Sequence, residues 1–242
     1  MSVKFNGNEP IGDIVTVFPH AADLFKAHGI DFCCGGHRTL QDALQKSSVD
    51  QEQMLAKLND AYAEWNTNHQ EVDWTQADLS RLIDHIVDVH HAYTVRELPL
   101  IEAWMSKITK VHGHRHPDLY EVKRLFDEMN MELSSHLVKE EKILFPLIRQ
   151  FEKEASLPIL NQVIVILDKM EAEHDETGEN LKTIRKITNG YQAPSDACRS
   201  YQVTYGKLEA LEEDLHRHIH LENHILFKRL RDQQMSDAER AN

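Results

Sequence analysis

Residues 129–148 read MNMELSSHLVKEEKILFPLI, and the apolar residues Met129, Leu133, Leu144 and Leu147 recur there in helical steps. That periodicity is the buried stripe of an amphipathic helix. Two polar residues, His136 and Glu140, stand on the same stripe. Residues spaced i and i+4 project from one helix face, so an imidazole and a carboxylate enter the core together. Near the carboxyl end Leu208, Leu211, Leu215, His218, Glu222 and Leu226 repeat the pattern. A third stripe, Leu160, Val163, Leu167, Met170, His174 and Leu181, carries one histidine. Upstream, His90 and His91 are neighbours; the line Val87, His91, Val95, Leu98 is the more apolar and favours His91, with His90 as the alternative.

The stripes and the breakers between them predict helices over about 78–105, 117–151, 158–188 and 195–233. Strand signals are almost absent, so the fold is all-α. Short connections make successive helices antiparallel, which is an up-and-down four-helix bundle. Pro146 should kink the second helix or end its regular hydrogen bonding. Counted from the connection near Ala155, Glu140 and His174 differ in height by about 6 Å at the helical rise per residue. His91 and His218 also fall mid-helix, so four histidines and two glutamates converge on one layer. Burying two carboxylates without cations would cost several kcal/mol each. Mixed imidazole and carboxylate donors suit iron or manganese, and six side chains fit two ions, with Glu140 and Glu222 as bridges.

A smaller helical domain, 1–65, precedes the bundle, 78–233, across a polar linker, 66–77. In it, PHAADLFKAH at 19–28 reads as a short helix closed by Gly29, and further helices are expected from about 39 and over 50–65. Between them lies DFCCGG, 31–36. Adjacent cysteines lack the spacing that turns two thiolates towards one zinc ion, and three cysteines in all make no disulfide framework. Two readings of Cys33 and Cys34 remain: a buried apolar pair, or an exposed pair bared by a sharp turn at Gly35 and Gly36 that takes up iron or changes redox state. The linker would give an exposed pair a reach of about 20 Å.

The chain of 242 residues carries 27 Lys+Arg against 40 Asp+Glu, a formal net charge of -13, which argues against nucleic acid or an anionic membrane as partner. No apolar run is long enough to span a bilayer, and unpaired cysteines suit a cytoplasmic location. The 16 histidines call for an explanation, and metal binding supplies one. The tract HGHRHP, 112–117, reads as a solvated loop, and Cys198 as a structural residue without a partner motif.

Four segments, GIDFCCGGHRTL at 29–40, SSHLVKEEKILFPLI at 134–148, EAEHDETGE at 171–179 and HIHLENHILF at 218–227, together resemble the di-iron iron–sulfur cluster repair family, the repair of iron centres proteins. The resemblance covers nearly the whole chain and implies a haemerythrin-like four-helix bundle behind a Cys-Cys-Gly-Gly domain. It implies His91, His136, His174 and His218 as terminal ligands and Glu140 and Glu222 as bridges of an oxo-bridged pair of iron ions. Glu132 and Glu173 are implied as carboxylates beside the ligands or along a channel, surface ion pairs being the alternative. The implied protein is a cytoplasmic homodimer that repairs iron–sulfur proteins damaged by nitrosative or oxidative stress, through iron donation in which Cys33 and Cys34 take part. Nitric oxide reduction at the di-iron site, or oxygen or iron sensing, are the alternatives, with nitric oxide or oxygen as small ligands.

Overall fold

The structure, a computed structural model, describes residues 4–45, 49–66 and 72–241. Among these residues there are eight helical runs and no strand, only an isolated bridge between Pro10 and Thr39. No described helix is long and apolar enough to cross a membrane. The chain divides into two compact units, Met1–Asp78 with Ile219–Gln233, and Leu79–His218 with Gln234–Asn242. Residues 67–71 of the expected linker lie outside the described residues.

The first unit contains α1 (Ile11–Val17), α2 (Ala21–Ala27), α3 (Leu40–Gln45) and α4 (Gln51–Asn66). Helix α2 ends at Gly29, whose φ of 67° is the left-handed conformation that closes a helix without steric cost. Sequence did not point to α1, because IGDIVTV is rich in β-branched residues of modest helix propensity. Packing overrides that preference: Ile11, Ile14 and Val15 are buried with Phe18, Phe25, Phe32, Met54 and Leu58 in one core. Ile219 belongs to the same core.

Four long helical runs follow residue 78. Helix α5 comprises Leu79–His85, a π-helical turn Ile86–His91 and Ala92–His112; α6 comprises Asp118–Lys139, a π turn Glu140–Leu144 and Phe145–Glu154. Helix α7 is Leu157–Ile187, and α8 comprises Arg199–His220, a π turn Leu221–Phe227 and Lys228–Ala241. Their apolar faces meet in a core that includes Ile101, Met105, Phe126, Met129, Leu181 and Leu211. Arg185 on α7 also donates to both oxygens of the buried Glu212 on α8, with Nε 3.0 and 2.9 Å away.

The π turns explain where the predicted stripes slip. Val95, expected on the buried line of α5, is 61% exposed, while Ile86, His90, His91, Thr94 and Leu98 are buried. A π turn holds an extra residue per turn, so it rotates everything beyond it relative to a continuous α-helix. The same rotation in α6 buries Phe145 and Ile148 and leaves Leu147 only half-buried. Pro146 is accommodated in the first turn of the α-helical segment that follows the π turn, so α6 continues through it. Helix α5 also runs past its predicted end near 105 to His112, which is buried, so HGHRHP is not simply a solvated loop.

Glycine in DFCCGG acts through close approach. The sharp turn expected at Gly35 and Gly36 forms, but neither glycine has positive φ. A Cβ on Gly36 would lie 2.3 Å from the Phe32 carbonyl oxygen and 2.4 Å from His224 Nε2, and one on Gly12 would lie 2.3 Å from His224 Nδ1. Gly36→Ala should therefore cost about 1–3 kcal/mol by overpacking. Hydrogen exchange checks this: protection should fall across α1 to α3 and around His224 and persist in the core of α6 and α7. Unchanged protection around His224 would refute the packing account.

Candidate metal centre and thiol turn

Glu140 is completely buried, and its two carboxylate oxygens diverge to two histidines. Oε2 lies 3.3 Å from His91 Nε2, and Oε1 lies 3.1 Å from His136 Nε2. Each of those nitrogens faces a second imidazole: His91 Nε2 is 3.2 Å from His218 Nε2, and His136 Nε2 is 3.0 Å from His174 Nε2. His91, Glu140 and His218 thus present ligand atoms within 4.8 Å of one another, as do His136, Glu140 and His174. Glu140 belongs to both groups.

The outer ring nitrogens set which tautomer the neutral rings adopt. His91 Nδ1 is 2.9 Å from Glu141 Oε1, and His136 Nδ1 is 2.8 Å from Glu173 Oε2. A carboxylate accepts, so each Nδ1 carries its proton and each Nε2 turns a lone pair inward. Glu173 also accepts from Lys139. Burial pushes the Glu173 carboxyl up, but the hydrogen bonds from Lys139 and His136 outweigh it and hold it below the usual carboxylate range. Inward lone pairs beside a buried carboxylate repel one another unless a cation lies among them. The donor set therefore fits metal ions, and the mix of nitrogen and oxygen without sulfur favours a borderline metal such as iron.

His90 is buried too, but its Nδ1 is 3.0 Å from Asp214 Oδ1 and its ring stacks on that of His218, at 5.7 Å and 5°. Of the two neighbours, His91 is the one whose Nε2 joins the cluster. Glu222 follows His218 by one turn on the unbroken run of α8, is completely buried, and sits in the π turn Leu221–Phe227. Glu132 lines a cavity of about 290 Å³ with His136, Lys139, Glu173 and Glu176. Partial desolvation and then the nearby Glu176, Glu128 and Glu173 raise its carboxyl above the usual range. Glu141 was missed by sequence reasoning. Its one signal is adjacency to Glu140, and a continuous α-helix would have turned it roughly 100° away.

Within the first unit, the DFCCGG turn is folded by Asp31, whose Oδ1 accepts the Cys33 N–H at 3.1 Å. The Cys33 sulfur lies 3.4 Å from the same oxygen and 3.8 Å from the Cys34 sulfur. Neither cysteine is in a disulfide; Cys33 is buried and Cys34 half-buried. The two sequence readings thus divide between the residues. Cys34, burial and Asp31 keep the Cys33 thiol well above its ordinary pKa. Asp31, Cys33 and Cys34 also place ligand atoms within 4.8 Å of one another, contrary to the expectation that adjacent thiols face apart. The turn is fixed from α8: His224 Nε2–H donates to the Cys33 carbonyl at 2.6 Å. His220, one turn earlier, is pushed down to about 3 by burial and then by His224, so it is neutral.

Comparison with known proteins agrees with this architecture. Residues 82–230 match the family described as the hemerythrin HHE cation binding domain. Residues 7–62 match the ScdA_N family, described as a domain of unknown function. The chain is 31% identical over 221 residues to the iron-sulfur cluster repair protein ScdA of Staphylococcus epidermidis, covering 91% of this chain and 96% of that protein. It is 30% identical over 221 residues to ScdA of Staphylococcus haemolyticus, covering 90% and 96%. It is 35% identical over 222 residues to the iron-sulfur cluster repair protein YtfE of Escherichia coli, covering 92% and 96%. The chain belongs to the hemerythrin-like iron–sulfur cluster repair family, in which an amino-terminal ScdA_N domain precedes the cation-binding bundle.

Proposed function

We propose that the protein holds two iron ions in its bundle and repairs iron–sulfur clusters damaged by nitrosative or oxidative stress, by supplying iron to them. The observation that carries this reading is the division of the Glu140 oxygens between two histidine pairs. His91 and His218 would hold one ion and His136 and His174 the other. Glu222, buried one turn beyond His218, would be the second bridging carboxylate. When bound, the iron pair would supply a redox-active centre for a small diatomic ligand. Glu141 and Glu173 orient His91 and His136 by accepting their Nδ1 protons.

Iron that is cargo needs a way out. The cavity beside His136 has three carboxylates, Glu132, Glu173 and Glu176, against one Lys139, which suits passage of a cation. On the other side of α6, a cleft of about 480 Å³ includes Glu141 together with Val95, Leu98, Pro99 and Val138. Its apolar wall suits a small uncharged ligand and favours a second reading, nitric oxide reduction at the same centre. Cys33 and Cys34, soft donors beside Asp31, would receive iron in transit. The reading places the thiol domain at 1–65, the linker at 66–77 and the bundle at 78–233, in a cytoplasmic homodimer.

The purified chain should carry about two irons, as six donors of this type require. Glu140→Gln should lower iron content by at least about half while far-ultraviolet circular dichroism stays near wild type. Full iron content in that variant would remove Glu140 from the site. Glu132→Gln with Glu176→Gln should keep the iron but slow its release to a chelator by roughly tenfold; release at the wild-type rate would exclude the acidic cavity as the route. Labelled iron from the loaded protein should appear in a nitric-oxide-damaged cluster protein as activity returns. The Cys33→Ser, Cys34→Ser variant should retain its iron yet transfer it poorly. Recovery of the client without label, accompanied by nitric oxide consumption, would favour the reductase reading.

A further inference from the structure

Cys198 and the HGHRHP tract lie far apart in sequence and meet at one end of the second unit. The Cys198 carbonyl accepts the Gln202 N–H at 3.2 Å, so Cys198 is the residue at which α8 begins. Its side chain stands beside the first-turn N–H groups, where a helix favours negative charge. From the last turn of α5, His112 Nε2 reaches within 3.2 Å of the Cys198 sulfur. His112 is only 6% exposed, and its Nδ1 has no hydrogen-bond partner among the described residues. The sulfur is therefore the polar contact towards which this buried ring is aimed. Tyr201 packs edge-on against the ring at 5.5 Å and holds it in place. Cys198 itself is exposed.

A nucleophile, a base within reach, a helix N-terminus and solvent access are the parts of an activated thiol. The backbone N–H groups of Tyr201 and Ser200, with Lys107 at longer range, hold the Cys198 thiol below its ordinary pKa. Other charged groups nearby are Arg115 and His116, both paired with Asp196. The site is separate from the candidate metal centre: Cys198 lies 20 residues before His218 on the chain, about 30 Å along α8.

We propose that Cys198 is a modification site, a thiolate formed with His112 that hydroperoxides oxidise to a sulfenic acid. The thiol proton passes to His112 Nε2. The sulfur then attacks the distal peroxide oxygen; an S–O bond forms as the O–O bond breaks. Two electrons move from sulfur to peroxide, and the departing hydroxide or alkoxide takes the proton from His112. Two equivalents of a cellular thiol would reverse the step, the first forming a mixed disulfide with release of water and the second displacing Cys198 as the thiol while joining the first in a disulfide.

The full chain should be treated with limiting hydrogen peroxide and dimedone, followed by peptide mapping of all three cysteines. Cys198 should be trapped first, and His112→Gln should slow its trapping by about tenfold. Trapping confined to Cys33 and Cys34, or an unchanged rate in H112Q, overturns the proposal. Should H112Q not fold, alkylation of Cys198 in the unmutated chain with iodoacetamide across pH decides. An inflection clearly below about 8.5, the ordinary thiol value, supports the site, and one at or above it refutes it. Cys198→Ser should abolish the adduct and leave iron content unchanged.

Discussion

Everything around the centre of the bundle answers to one constraint, a carboxylate with no exposed surface placed between imidazoles. Glu140 reaches His91 with one oxygen and His136 with the other, and each of those rings faces a further histidine. In an apolar core such an arrangement is tolerable only when opposite charge is supplied, by protons or by metal. Glu141 and Glu173 engage the outer nitrogens of His91 and His136, so in the neutral rings the inner nitrogens are acceptors. A proton placed between two such nitrogens can satisfy only one pair. A cation satisfies both rings and the carboxylate together, which is why the geometry reads as a metal centre in waiting.

That constraint also gives a reason for the π turns. Three of the four long helices widen into one, and His91, Glu140 and Glu222 each lie within it. A π turn lets one residue face inward without requiring its neighbours to follow α-helical angles, and such turns concentrate at functional sites. In α6 the result is that consecutive residues share the work. Glu140 points at the inner nitrogens, and Glu141 engages the outer nitrogen of His91. Helix α7 contributes His174 without a π turn, and the residue before it, Glu173, holds His136 from the far side.

How much of this could be read from sequence follows the same line. Wherever the helix stays α, periodicity works: Met129, Leu133 and His136 are all buried, as are Leu160, Val163, Leu167, Met170 and His174. Past a π turn the 3.6-residue period is out of phase, so Val95 was placed inside and Leu147 too deep. His90 and His91 could not be separated by pattern because the π turn Ile86–His91 buries both. Only their partners distinguish them, Asp214 for one and Glu140 for the other. Tertiary pairs of this kind leave no trace in a single sequence. The His112–Cys198 contact, across 86 positions, is another, and so both residues read as unremarkable.

The thiol turn carries the argument one step further. A tethered domain that finds its target by flexible search needs only a linker, but Cys33 is not held by a linker alone. Its carbonyl accepts a hydrogen bond from His224, and Gly12 and Gly36 lack side chains where the same ring must fit. His224 lies two residues after Glu222 inside one π turn. Gly12 and Gly36 thus serve the fit of the imidazole rather than freedom of the turn: the thiols of DFCCGG face one another and Asp31, while Gly36 leaves room for the ring of His224 that holds the Cys33 carbonyl.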